Sequence, residues 1–189
     1  MKIKKRGGVY SDVSGDDWYF DSVVFMRTNG YMTGVSENEF APTGVLTRGM
    51  FAEILYRYAD GQRYLGENSF EDVADDAYYT EAVGLAKTNG IIEGVSETEF
   101  MPETTLTRES AAAILCRFAE YKKLEMDKNS DLSVFDDGTL VSDWAYDSVS
   151  RAVDCGLMNG RSETQLAPQG EISRAEAASL IQRLDNMNN

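Results

Sequence analysis

Apolar and polar positions follow one another along this chain in a pattern that predicts helices, and this pattern occurs three times. The apolar positions of one segment are Phe51, Ile54, Leu55 and Tyr58, and those of a second are Ala111, Ile114, Leu115 and Phe118. Steps of three, one and three residues place such side chains on one face of a helix. A third segment, residues 173–186, has the same polar start followed by apolar positions.

A shorter apolar helix is predicted before each of these long helices. It ends at a glycine, because a residue without Cβ readily adopts the left-handed conformation of a helix C′ position. The terminating glycines are Gly30, Gly90 and Gly156. Each is followed by a link with a second glycine, an apolar anchor and a proline, the anchors being Phe40, Phe100 and Leu166. The chain therefore predicts three helix–loop–helix units.

The three units are copies of one module. Nearly half of the positions in residues 10–58 are identical in residues 70–118, which is typical of a repeat architecture. We predict modules at residues 9–60, 69–122 and 134–187. Three long helices packed on one another can bury apolar faces that one helical pair leaves exposed. The predicted fold is all-α, a pseudo-threefold trimer of helix–loop–helix repeats around a central three-helix bundle within one chain.

Each long helix begins with a hydroxyl residue followed by an arginine. The predicted N-caps are Thr47, Thr107 and Ser173, and the arginines are Arg48, Arg108 and Arg174. A helix start has unpaired N–H groups and the positive end of the macrodipole, so it favours anions. A guanidinium adds two parallel donors that match a carboxylate. Because a cation is mildly unfavourable at a helix start, its repetition indicates a use in binding.

A structural role for these arginines is the alternative. Asp12, Asp72 and Asp137 recur as regularly as the arginines. Each Arg–Asp pair could hold one module against the next. The same pairs could also do this while binding a ligand, as parts of one network. Trp18 and Trp144 are expected in the core rather than as sugar-stacking platforms. The candidate ligand-binding residues are Arg48, Arg108, Arg174, Asp12, Asp72, Asp137, Trp18, Trp144, Thr47 and Thr107.

Composition narrows the class of protein. The 189 residues carry a formal net charge of −14, which argues against binding to nucleic acid or to an anionic membrane surface. No apolar run reaches the roughly 18–20 residues that span a bilayer. The absence of histidine excludes Ser-His-Asp catalysis and histidine-containing zinc sites. Cys116 and Cys155 are interpreted as small core residues, and we predict neither a cofactor nor a metal.

Two polar segments bear on metal binding and on export. Asp127, Asn129 and Asp131 have a spacing like that of a calcium-binding EF-hand loop, but Leu132 stands in place of the turn glycine and Gly138 in place of the bidentate acid. A solvated linker is the better interpretation. The N-terminal stretch is basic without a following apolar region, so we expect no signal peptide in this sequence. The chain is then cytoplasmic or a piece of a longer exported protein.

The repeated motif resembles the S-layer homology module. It reads F-x-D-V, an aromatic pair, G-[IL]-x-x-G, F-x-P and T-R, and it covers residues 10–187 in three copies. This resemblance implies a pseudo-trimer within one chain, and hence a monomer. It also implies non-covalent anchoring of exported proteins to secondary cell-wall polysaccharide outside a bacterium. The implied ligand carries pyruvate ketals, each with a carboxylate, and sits in grooves between modules that include the T-R motif.

Three functions are compatible with these features of the sequence. A non-catalytic, cell-wall-anchoring carbohydrate-binding module is favoured, a protein-interaction scaffold is the alternative, and a carboxylate-pair glycosidase is weak because triplicated helices offer no single deep cleft. Arg48 is expected to contribute more to carboxylate binding than Arg174. No acid follows Arg48 in its first helical turn, whereas Glu109 and Glu176 follow the other two arginines.

Overall fold

The computed structural model describes residues 9–60, 69–126 and 129–188, and its regular elements are helices. The helices are α1 (Phe20–Thr28), α2 (Arg48–Tyr58), α3 (Thr80–Thr88), α4 (Arg108–Tyr121), α5 (Tyr146–Asp154) and α6 (Arg174–Asn188), with short 3-10 turns at Leu132–Val134 and Gly138–Leu140. The predicted all-α fold is confirmed. The basic N-terminus, most of the first linker and Asp127 of the calcium-like segment lie outside the described residues.

The helix ends follow the local chemistry that the sequence indicates. Gly30, Gly90 and Gly156 have φ angles of +73°, +64° and +71°, the left-handed conformation expected after a helix. Thr47 and Thr107 accept hydrogen bonds from the N–H groups three residues later, at 3.3 and 3.2 Å. Each module is therefore two helices joined by a link whose start and end are set by its own residues.

The short helix of each module packs on the long helix of another module. Helix α3 lies on α2, α5 lies on α4, and α1 closes the circle by packing on α6. The three long helices meet through Tyr58, whose ring centroid lies 5.7 Å from that of Phe118 and whose hydroxyl donates to Asp185 at 3.3 Å. The bundle thus depends on short helices as well as on the long helices that the sequence analysis placed at its centre.

Three backbone hydrogen bonds form a closed ring just before the long helices. Leu46 N–H donates to Ile172 at 3.1 Å, Leu106 N–H donates to Leu46 at 2.9 Å, and Ile172 N–H donates to Leu106 at 2.9 Å. All three side chains are buried. Each module thus donates one bond to one neighbour and accepts one from the other, which places the pseudo-threefold axis through this ring.

The two cysteines differ in how deeply they are buried. Cys116 is buried, in agreement with its interpretation as a core residue, whereas Cys155 is only half-buried. In the described ranges no group of three or more acidic or cysteine side chains is arranged to hold a metal ion. Nor does any helix in those ranges combine the length and the apolar composition that crossing a membrane requires.

Candidate functional site

Each helix-start arginine reaches out of its own module into the next one. Arg48 donates to the carbonyl oxygens of Phe100 at 2.9 Å and Glu93 at 2.7 Å. Arg108 makes the same two bonds to Leu166 and Asn159, at 3.0 and 2.6 Å. Arg174 makes them to Phe40 and Thr33, at 2.7 and 2.6 Å. The arginines therefore staple the modules together.

The three aspartates bind backbone N–H groups in the same links whose carbonyl oxygens bind the arginines. Asp12 accepts hydrogen bonds from the N–H groups of Phe40 at 2.9 Å and Ala41 at 2.7 Å, and Asp72 and Asp137 do the same in their own modules. Burial raises the pKa of Asp12, but these bonds outweigh it and leave the pKa below its ordinary value. Arginine and aspartate thus bind opposite sides of one peptide, and the described residues contain no direct ion pair between them.

The helix starts themselves are not open to an anion. The N–H groups of Arg48 and Gly49 donate to carbonyl oxygens of the next module, at 3.0 and 2.9 Å, and that of Met50 donates to the Thr47 hydroxyl. The same arrangement recurs at α4 and α6. The expectation of unpaired N–H groups is wrong, because the neighbouring module supplies the acceptors. Any carboxylate recognition must rest on side chains.

Two grooves are lined by residues of all three modules. Groove A contains Arg108, the link residues 159–161, one face of α6 and Trp18, and encloses about 560 Å³. Groove B contains Arg48, the link residues 92–94, one face of α4 and Trp144, and encloses about 170 Å³. On the third face, Arg174 donates to the Thr33 carbonyl at 2.6 Å, and Tyr78 stands at the sequence position of the two tryptophans.

The two tryptophans lie on the surface, contrary to the expectation that they belong to the core. Trp18 is 65% exposed and Trp144 is 60% exposed. They precede the first residues of their short helices by two positions, so helical periodicity does not fix their direction. The following residue occupies the inward position instead, as the buried Ala145 shows. Both indole rings are therefore available at the grooves.

The grooves differ in how their arginines are neutralised. In groove A, Glu176 accepts from Arg108 at 2.9 Å and from Arg161 at 2.8 and 3.0 Å, besides closing a capping box with Ser173. In groove B, neither Arg48 nor Arg117 has a carboxylate hydrogen-bond partner among the described residues. On the third face, Glu53 pairs with Arg57 at 2.7 Å.

Neither acid that follows a helix-start arginine in sequence is hydrogen-bonded to that same arginine among the described residues. Glu109 is 5% exposed and accepts from the N–H and hydroxyl groups of Ser142, at 3.0 and 2.8 Å. Glu176 faces Arg108, which belongs to another module. Because each guanidinium leaves its own helix, the charge around it is set by the next module. Glu176 does lie at the start of α6, as the sequence indicates, but it does not bind the Arg174 guanidinium. The ranking of Arg48 above Arg174 stays a prediction.

Several groove residues were missed by the sequence analysis. Arg117 and Arg183 line grooves B and A, and with Arg57 they occupy one repeated position on the long helices. That repetition is a signal in the sequence. Arg161 has no such signal, because Val35 and Val95 stand at its position in the other modules. Its importance becomes visible only once α6 lies beside its link.

Acid should weaken the fold through Glu176. Burial raises the pKa of this carboxyl, but hydrogen bonds from Arg161 and Ser173 and the charge of Arg108 outweigh it and lower the pKa from 4.5 to about 2. The unfolded chain takes up this proton at higher pH than the folded chain. The stabilisation is therefore complete above pH 4.5 and is lost as pH falls toward 2.

We expect Glu176→Gln to be less stable than the parent chain by about 2 kcal/mol at pH 7, after allowing for solvent screening. The difference should shrink steadily on acidification. Urea denaturation across this pH range measures it, with Glu163→Gln, an exposed acid of the same module, as the control. A difference that stays constant with pH would contradict the assignment.

Comparison with known proteins identifies the modules. The model of the S-layer homology domain matches residues 9–52, 69–112 and 134–178. The chain is 34% identical over 166 residues to the surface-layer 125 kDa protein of Lysinibacillus sphaericus, covering 86% of this chain and 14% of that protein. It is 25% identical over 158 residues to a cellulosome-anchoring protein of Acetivibrio thermocellus, covering 81% of this chain and 35% of that protein.

Enzymes also contain similar segments. The exoglucanase XynX of Acetivibrio thermocellus is 27% identical over 179 residues, covering 95% of this chain but 16% of that enzyme. The chain likewise spans only 9% of a similar amylopullulanase of Thermoanaerobacterium thermosulfurigenes. The similarity is thus to a small part of each of these proteins, whose names describe the whole. With its three matched segments, this chain belongs to the S-layer homology domain family.

Proposed function

We propose that this chain anchors a larger protein, non-covalently, to a polysaccharide of a bacterial cell wall, and that carboxylates on the polymer contribute to binding. The observation that carries the proposal is the meeting of an exposed indole ring with an arginine in each of grooves A and B. The names of relatives point the same way, since they include a surface-layer protein and a cellulosome-anchoring protein. No catalytic step is part of this role.

The chemistry of the grooves suits an acidic sugar. An indole offers a flat apolar surface on which the C–H face of a sugar ring can pack. A guanidinium already fixed by two carbonyl oxygens, as Arg48 is, is rigid, so little side-chain entropy is lost when it binds a carboxylate. Fixed position and charge together favour a planar anion held beside a sugar ring.

The net negative charge of the chain does not prevent binding of an acidic polysaccharide. The formal net charge is −14, but at physiological ionic strength charges more than about 8 Å apart are largely screened. Arginines lining a groove act at shorter distances. The overall field should slow association with an anionic polymer without preventing it. We propose that the chain works as a monomer, since its three modules close on one another.

Binding should depend on the polymer and on its carboxylates. We expect the chain to sediment with purified cell-wall sacculi and to stay in solution when the non-peptidoglycan polymer has been removed. A charge-assisted hydrogen bond contributes about 1.5–3 kcal/mol, so polymer fragments without pyruvate should bind at least about tenfold more weakly in calorimetry. Equal affinities for matched fragments would contradict the carboxylate component.

A protein-interaction scaffold in the envelope is the alternative function. It would use the same grooves for side chains of a partner protein and would need no sugar. Sacculi stripped of polymer but retaining their proteins would then bind as well as untreated sacculi, whereas anchoring to polysaccharide predicts that binding is lost.

A further inference from the structure

We propose that the peptide between Asn159 and Gly160 is a modification site, at which the chain reacts with water and Asn159 is converted to isoaspartate. Both residues line groove A. Water is the co-reactant and ammonia is the leaving group, so the reaction needs neither an oxidant nor a second protein. The inference is independent of the proposed function, because no polysaccharide takes part in the reaction.

The reaction begins when hydroxide removes the proton of the Gly160 N–H. The Gly160 nitrogen then bonds to Cγ of Asn159, and the side-chain nitrogen leaves as ammonia with a proton from water. The product is a cyclic succinimide that contains both carbonyl carbons of Asn159. Water adds to one of these carbons, the bond from that carbon to the ring nitrogen breaks, and the nitrogen regains a proton while a carboxylate forms. Glycine suits the attacking position because it has no Cβ to obstruct the approach.

Arg108 favours the first step through the carbonyl oxygen of the same peptide. Its Nη2 donates to the Asn159 carbonyl oxygen at 2.6 Å. This carbonyl and the Gly160 N–H belong to one conjugated group, so the negative charge left by deprotonation is shared with that oxygen. A cationic donor at the oxygen stabilises the charge. Arg108 also donates to Leu166 and Glu176, at 3.0 and 2.9 Å, so the donor is already in place before the reaction.

Neither reacting group has a hydrogen-bond partner in the part of the chain that the structure describes. Asn159 is exposed, and its side-chain amide contacts no acceptor or donor in those ranges. The Gly160 N–H likewise donates to no acceptor there. Ring closure therefore does not require any of these hydrogen bonds to break first.

Two other Asn-Gly pairs of the chain have contacts that oppose the same reaction. Asn29 and Asn89 directly follow α1 and α3, and each side-chain amide donates to a helix carbonyl oxygen, at 2.9 and 2.8 Å. The N–H groups of Gly30 and Gly90 donate to helix carbonyl oxygens as well, at 3.1 and 3.0 Å. Both hydrogen bonds of a pair must break before its ring can close. These pairs are therefore internal controls for Asn159.

The position of Arg108 also determines the product. The oxygen to which it donates belongs to the main-chain carbonyl carbon of the succinimide, and this donation makes that carbon the more electrophilic of the two. Addition of water at the main-chain carbon gives isoaspartate, whereas addition at Cγ gives aspartate. In isoaspartate the former main-chain carbonyl becomes a carboxylate beside Arg108, and the link gains one backbone atom. Groove A then contains a second acid besides Glu176.

Peptide mass spectrometry can follow the three Asn-Gly pairs separately, because they fall in the tryptic peptides 28–48, 88–108 and 152–161. The folded chain is incubated in mildly alkaline buffer, and a zero-time sample corrects for reaction during digestion. We expect the amide to be replaced by a carboxyl group at Asn159 at least about tenfold faster than at Asn29 or Asn89, a factor that one charge-assisted hydrogen bond can supply. In urea the three rates should become similar, and the share of isoaspartate at Asn159 should fall.

A transplanted Asn-Gly pair tests the role of the arginine. Glu93 stands at the position of Asn159, precedes Gly94, and accepts from Arg48 Nη2 at 2.7 Å. Glu93→Asn should therefore react at position 93 at least about tenfold faster than the chain reacts at Asn29. Adding Arg48→Ala should slow the reaction at position 93 by at least about tenfold. The comparison within the parent chain stands whether or not the double variant folds.

Several results would overturn the inference. These are equal rates at the three pairs of the folded chain, a Glu93→Asn chain that does not react at position 93, and a rate at that position that Arg48→Ala leaves unchanged. Aspartate as the main product at Asn159, or an isoaspartate share that is the same in urea, would refute the directing role of Arg108. Sedimentation with sacculi tests the proposed function separately, since the reaction is followed without any polymer.

Discussion

Arg108→Ala is expected to destabilise the folded chain by about 3–4 kcal/mol, the largest loss among the three helix-start arginines. The Arg108 side chain is 4% exposed, and its three nitrogens donate to the carbonyl oxygens of Leu166 and Asn159 and to Glu176. Removing it leaves a largely buried carboxylate with one guanidinium fewer and two carbonyl groups without their donor. The expected loss of stability exceeds that for a surface ion pair because water cannot easily reach these buried groups to replace the lost hydrogen bonds.

Arg48→Ala and Arg174→Ala are the matched controls. Each of these side chains donates to two carbonyl oxygens in the same geometry, but neither has a carboxylate hydrogen-bond partner among the described residues. We expect losses of about 1–3 kcal/mol for them in urea denaturation at pH 7. Three equal losses would mean that Glu176 adds nothing to the role of Arg108.

Gly160→Ala is expected to cost about 3 kcal/mol or more and to distort groove A. An alanine Cβ there would overlap the carbonyl oxygen of Ser162 and lie 2.8 Å from that of Gln165 and from the Phe135 ring. The Gln165 carbonyl is already fixed by hydrogen bonds from Arg161 N–H at 2.8 Å and Ser162 N–H at 3.3 Å. The backbone can make room only by giving up the turn that positions Arg161.

Gly156→Ala is the control within the same link. Its φ angle of +71° strains an alanine, but a Cβ at Gly156 meets nothing within 4 Å, so a loss of about 1–2 kcal/mol is expected. Thermal unfolding of the two variants compares a steric cause with a conformational one. If Gly156→Ala were the more damaging change, close packing would not explain the glycine at position 160.

Local features of the fold were predictable because each depends on residues close in sequence. The terminating glycines, the hydroxyl N-caps and the apolar helix faces act over a few residues, and repetition reinforces each of them. The partners of the short helices were not predictable in this way. Whether α1 packs on α2 or on α6 depends on how three modules close, and one module's sequence does not contain that information.

The candidate site was only partly predictable for the same reason. The arginines were found because they repeat, but their acceptors lie between 45 and 141 residues away in sequence. Residues adjacent in sequence are therefore not the contacts of these side chains. Glu109 follows Arg108 in the chain but accepts hydrogen bonds from Ser142. Trp18 and Trp144 were predicted to lie in the core because they are large and apolar. The type of a residue does not show which way its side chain points. Arg161 gave no repeated signal, although it donates two hydrogen bonds to Glu176 in groove A.

The hydrogen-bonded ring of Leu46, Leu106 and Ile172 has a consequence for how the modules share load. In a linear array of repeats, the first and last units have one neighbour each and need special capping surfaces. In a closed ring every module has two neighbours, so no unit is terminal and none can fray alone. Tension applied to one module passes to both others at once, and the three should yield together as one cooperative body.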